Sequence, residues 1–143
     1  MFQKIVLAFD GGEESVAALH QATDLARLCD AELILIGVVE SIPSAALTEP
    51  YPQHAFLTAK RSSMAQMLLT EAERLGDRGL KVVTEILEGD PANEIATYAK
   101  RIDADVVVIG YAYKGFLVRW LEGSTGAKLI RDLPCSLLIA TER

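Results

Sequence analysis

Short apolar runs and helical stripes take turns along this chain. Lys4–Phe9, Glu32–Val38 and Asp105–Gly110 are almost continuously apolar, the pattern of strands buried on both faces. Leu80–Leu87 alternates apolar with polar positions, which predicts a strand near a sheet edge. Ser136–Thr141 reads as the last strand. After the first run, Asp10-Gly11-Gly12 turns the chain, and Val16, Leu19, His20, Thr23, Ala26 and Leu28 fall roughly at helical spacing. Met64, Met67, Leu68, Ala72 and Leu75 form a second stripe, with Gly76 and Gly79 near its end, where glycine commonly ends a helix. Asp90-Pro91 predicts a third helix, running through Ile95, Ala99 and Ile102. Asp90 suits the cap and Pro91 the first helical position. Gly123-Ser124-Thr125 opens a short fourth helix to about Arg131, stopped by Asp132, Leu133 and Pro134. Pro43, Pro50 and Pro52 mark an irregular excursion from Ser41 to roughly His54, and to Leu57 at most.

The order is βαβαβαβαβ. Strands joined across helices run parallel, so the expected fold is a single doubly wound α/β domain, residues 1–143, with helices on both faces. No internal repeat or linker interrupts it. Half of the 143 residues are apolar and 24% are charged, which is the balance of a globular chain. A net charge of -6 argues against a nucleic-acid backbone as partner. No apolar run approaches the ~20 residues a membrane span needs, and no signal segment precedes the first strand, so the cytoplasm is the expected location. Cys29 and Cys135 are too few for a disulfide framework and lack metal spacing; the expectation is two small buried hydrophobes.

In a doubly wound sheet, ligands bind beyond the carboxyl ends of the strands, where the strand order reverses. Asp10-Gly11-Gly12, Val38-Val39-Glu40 and the loop from Gly110 to Ser124 should meet there. Glycines admit close approach, and the N–H groups opening the Gly123 helix favour an anion such as phosphate. Lys114 and Arg119 in the same loop supply countercharge. Each feature has a plain alternative in turn geometry and capping. His20 and His54 have no serine or cysteine at a catalytic spacing, and read as core or surface residues. Glu13 and Glu14 complement the macrodipole of the first helix. Phe116, Leu117, Val118, Trp120 and Leu121 form an apolar stretch that suits a flap or a contact surface.

The segment from Val106 to Ser124, followed by Leu133-Pro-Cys-Ser-Leu-Leu138, resembles the universal stress protein family. ATP-binding members carry G-x2-G-x9-G-[ST] after the fourth strand, then a helix, a Pro-Cys-Pro-like turn and a final strand. The likeness extends to Ile5–Asp10 with its two glycines, to Gly89-Asp-Pro91 and to Ala104-Asp-Val106. It implies a five-stranded parallel sheet in order 3-2-1-4-5 with two helices on each face. It further implies a non-catalytic stress-response module and a homodimer paired through the C-terminal strand, whose Leu137, Leu138 and Ile139 would otherwise leave an apolar edge bare. Within the family's site, Asp10 stands near the adenine, Val38 offers a backbone amide to its edge, and Gly110, Gly123, Ser124 and Thr125 surround the phosphates. The bound cofactor would be ATP or another adenine nucleotide.

One motif glycine is replaced by Tyr113, and Gly115 comes two residues late. A Cβ and ring at that position crowd the phosphate approach. Weak nucleotide binding, or a nucleotide-free member acting through protein contacts alone, is the corresponding expectation. Asp10-Gly-Gly-Glu-Glu-Ser15 also occupies the place of the S-G-G-x-D-S loop of ATP pyrophosphatases. Asp10 would repel pyrophosphate where those enzymes place a hydroxyl, so the enzyme reading ranks last.

Overall fold

A computed structural model of the chain describes residues 1–40, 53–110 and 133–141. Their elements are β1 (Lys4–Ala8), α1 (Glu13–Cys29), β2 (Glu32–Val39), α2 (Gln53–Gly76), β3 (Val82–Glu88), α3 (Pro91–Arg101), β4 (Val106–Gly110) and β5 (Ser136–Ala140). The strands form one parallel sheet in the order β3-β2-β1-β4-β5. β1 therefore lies at the centre, in register Ile5 with Leu33 on one side and with Val106 on the other. The continuously apolar strands β1, β2 and β4 are the buried ones, as expected, and β3 and β5 form the partly exposed edges.

Alternation along each strand builds two cores. Ile5, Leu7, Leu33, Leu35 and Val108 meet α1 and α2 on one face. Val6, Ala8, Ile34, Ile36, Val107 and Ile109 meet α3 on the other. The switch of face follows from the strand order. The first two crossovers step outward from β1 to β3, and the third returns past β1 to β4, so right-handed connections put α3 opposite α1 and α2. The fourth helix expected from Gly123 to Arg131 lies outside the described residues.

Three details depart from the reading of the pattern. The buried stripe of α1 is Ser15, Ala18, Leu19, Ala22, Thr23 and Ala26, in i, i+3, i+4, i+7 order. Val16 and His20 point outward, and Leu28 is 84% exposed. Alanines bring the helix close to the sheet, whereas the larger residues had drawn the predicted stripe one step around. Second, α2 begins at Gln53, so His54 belongs to its first turn rather than to the excursion. Third, Cys29 and Cys135 are only half-buried, one against each core.

The expected start of α3 is present. Asp90 accepts a hydrogen bond from the Asn93 N–H at 3.1 Å, and Pro91 occupies the first turn. Asp105, ahead of β4, accepts from the backbone N–H groups of Gln3 and Lys4 at 2.7 and 2.8 Å. These bonds favour its charged form and hold its carboxyl below the usual range.

Candidate functional site

The ladder between β1 and β2 ends at Ala8 opposite Ile36, while β2 runs on through Gly37, Val38 and Val39. On the other flank the ladder with β4 ends at Leu7 opposite Val108, and β4 continues to Gly110. The central strand thus stops short of both neighbours and leaves a crevice at its carboxyl end, the position where the strand order reverses.

Backbone alternation sets what β2 presents there. The Ile36 carbonyl accepts the Phe9 N–H at 2.9 Å, so Ile36 faces β1. The Val39 carbonyl accepts from Gly89 at 3.0 Å and faces β3. Val38 shares the direction of Ile36, one step past the end of the ladder, and its N–H and C=O face the crevice. Sequence reasoning placed Val38, Asp10 and Gly110 at one site, and the fold brings the ends of their three strands together. Gly123, Ser124, Thr125, Tyr113, Gly115, Lys114 and Arg119 lie outside the described residues.

Asp10 is exposed, and its Oδ1 accepts from the Gly12 N–H at 2.8 Å. This closes the turn into α1, with Gly11 between them at φ 86°, a conformation that suits glycine. The same carboxylate lines a cavity of about 520 Å³ shared with Phe56, Lys60, Ser63, Met64 and Met67 of α2. Cavities of several hundred Å³ with apolar walls and a few polar groups are typical small-molecule sites.

The α2 wall was not identified as part of the site from sequence, although its Met64–Met67–Leu68 stripe was visible. Met64 lies directly over Gly37: a Cβ added there would come 2.6 Å from its Cγ and 3.4 Å from Leu68 Cδ1. Met67 covers Gly11 in the same way. Two glycines at the strand ends thus let two methionines form the floor of the cavity. Thioether side chains adapt to irregular shapes, as a ligand wall requires. Arg61, on the same half of α2, pairs with Glu88 at the end of β3 at 3.3 Å.

The remaining chemistry is sparse. Among the described residues no group of three or more His, Cys, Asp or Glu is arranged to hold a metal, and no described helix is long and apolar enough to cross a membrane. Burial, with the nearby Asp105 charge, pushes the Cys135 thiol up, away from the thiolate form a nucleophile needs. Burial also raises Tyr98, with Glu85 adding to the effect. The Arg101 guanidinium sits 5.2 Å from the Tyr98 ring centre, a structural contact.

Sheet order and a crevice at the reversal point define a doubly wound α/β protein with the Rossmann-type strand order. Comparison with known proteins narrows this class. The universal stress protein family model matches residues 1–141, and the chain belongs to that family. It is 32% identical over 140 residues to a universal stress protein of Methanocaldococcus jannaschii, covering 97% of this chain and 82% of that one. Two solved structures share the fold. A universal stress protein in complex with cAMP aligns with TM-score 0.69 and 20% identity, over 98% of this chain and 97% of its own. A family member from Arabidopsis thaliana with AMP bound aligns with TM-score 0.67 and 16% identity, over 99% and 92%.

Proposed function

We propose that this protein is a stress-response module that takes an adenine nucleotide into the crevice beyond β1 and acts through protein contacts rather than by catalysis. The observation that carries the reading is the early end of β1 between β2 and β4. It turns the Val38 N–H and C=O toward an opening, a donor and an acceptor side by side, which matches the pattern on the edge of an adenine ring. Beside it, the Phe56, Met64 and Met67 wall suits the apolar faces of a nucleoside, and Asp10 and Lys60 offer polar ends. The adenine nucleotides bound by two proteins of similar fold support the same choice. Gly110, with Gly123, Ser124 and Thr125 after it in sequence, supplies the phosphate end in this reading.

Tyr113 favours a second reading, a nucleotide-free module, because it stands where the binding motif has glycine. Calorimetry with ATP, AMP and cAMP on the wild type and on Tyr113→Gly separates the two. Weak binding that tightens in the variant supports the first reading, and absence of binding in both supports the second. Tight wild-type binding unchanged by the variant shows that Tyr113 does not obstruct the site.

The module acts, in this proposal, as a homodimer through β5. Among the described residues that strand has only β4 as a neighbour, and its Ile139 is 41% exposed. An apolar edge of this kind is covered by antiparallel pairing with its twin. Light scattering that returns a monomer mass of 15.5 kDa at micromolar concentration overturns the dimer.

A further inference from the structure

A second concavity lies away from the crevice, between the later turns of α1 and the end of α2. It measures about 220 Å³ and is bounded by His20, Thr23, Arg27, Arg74 and Arg78, with Asp24 the one carboxylate in its lining among the described residues. Thr23 lies about 15 Å along α1 from its first residue, at ~1.5 Å per residue, so this groove and the crevice are separate.

The chain as a whole is acidic, yet three of its 14 lysines and arginines converge here. Arg74 is held by Glu71 at 2.7 Å. Arg27 and Arg78 pair with no carboxylate among the described residues. Cations near helix C-termini complement the dipole, which accounts for each arginine singly. It does not account for their convergence on one cavity from two helices. Thr23 adds an independent sign. It is 6% exposed, it borders the cavity, and its Oγ1 is shielded from water without a hydrogen-bond partner among the described residues. A buried hydroxyl without a partner costs free energy, and rotation about χ1 exchanges its place with the methyl group.

We infer that the α1–α2 groove is a binding site for a small, multiply charged oxyanion of the phosphate class. Arg27 and Arg78 supply the charge-assisted donors, and the Thr23 hydroxyl, brought to the cavity by rotation about χ1, supplies a neutral one. The site is independent of the nucleotide reading. Its volume admits phosphate or pyrophosphate, and the Asp24 carboxylate disfavours a ligand that brings its oxygens to that rim.

The test is a titration of the 15N-labelled full chain with inorganic phosphate and with pyrophosphate, at ionic strength held constant with chloride, followed by amide shifts. Saturable shifts centred on Thr23, Arg27 and Arg78 are expected, with pyrophosphate binding tighter. An Arg27→Gln/Arg78→Gln double variant, altered only at exposed positions, is expected to weaken binding by about tenfold or more. Thr23→Val is expected to weaken it several-fold, while Thr23→Ser retains it. Shifts that do not saturate, or binding unchanged in the double variant, overturn the proposal. So do shifts confined to Gly12, Val38 and Gly110, which would put the anion in the crevice.

Discussion

The two ends of β1 are built on opposite principles. At its amino end the chain is tied by direct bonds. Gln3 and Lys4 donate to the Asp105 carboxylate, Lys4 Nζ donates to the Ile102 carbonyl at 2.8 Å, and Glu32 donates its N–H to the Gln3 carbonyl at 2.9 Å. At its carboxyl end the ladders stop, a glycine at positive φ turns the chain, and the neighbours are methionine thioethers over glycines. One strand therefore serves as a rigid anchor at one end and as the border of an adaptable cavity at the other. Precise positioning of a ligand site depends on such a supporting anchor, whereas shape tolerance comes from the soft wall. The contrast is also one of conformational freedom, since backbone N–H groups fixed by a carboxylate have few alternatives and the side chains over a glycine have several.

The largest test of this contrast is at the soft end. Gly37→Val inserts a branched side chain into space held by Met64 and Leu68, and overpacking of this kind costs about 1–3 kcal/mol. Urea unfolding should show that loss, and Met64→Ala in the same chain should recover part of it, because the two positions share one space. Equal stability of Gly37→Val and wild type would mean that the wall yields freely. A smaller effect is expected at the anchored end. Asp105→Ala leaves two backbone donors to water, for a loss of roughly 1 kcal/mol after discounting for solvent exposure.

Acid titration sharpens that second result. The Asp105 carboxyl lies below its ordinary value in the folded state, so the unfolded chain binds its proton first as pH falls. Its contribution is complete above the ordinary carboxylate range and is lost as pH drops from there through the lowered native value. The wild type should show this loss in unfolding experiments at successive pH values, and Asp105→Ala should lack it. The smallest effect belongs to Arg61→Ala. Both side chains of the Arg61–Glu88 pair are about half exposed, 52% and 47%. Removing one should change stability by less than about 0.5 kcal/mol, and added salt should erase the difference. A larger, salt-resistant loss would show that this pair braces the α2 wall.

The fold was legible because its strands differ in kind. Three continuous apolar runs could only be central strands, and the alternating Leu80–Leu87 segment could only be nearer an edge. The helix caps were legible for a similar reason, since Asp90-Pro91 acts on its own first turn. The register of α1 was not. Its buried face is made chiefly of small residues, Ser15, Ala18, Ala22, Thr23 and Ala26, whose weak hydrophobic signal is outweighed in the sequence by exposed Val16 and Leu28.

Asp10, Val38 and Gly110 could be proposed as partners because the strand order places their strand ends together, and that order came from the family likeness. By itself the sequence determined the alternation of elements, the buried character of β1, β2 and β4, and the turn residues that join them. These depend on local periodicity and on residues a few positions apart. Only the tertiary structure decided that Met64 and Met67 lie over Gly37 and Gly11, that Asp105 holds the start of β1, and that Arg27 and Arg78 face one groove. Each of those pairings joins residues far apart in the chain, and their distances depend on how closely a helix approaches the sheet, which no local pattern encodes.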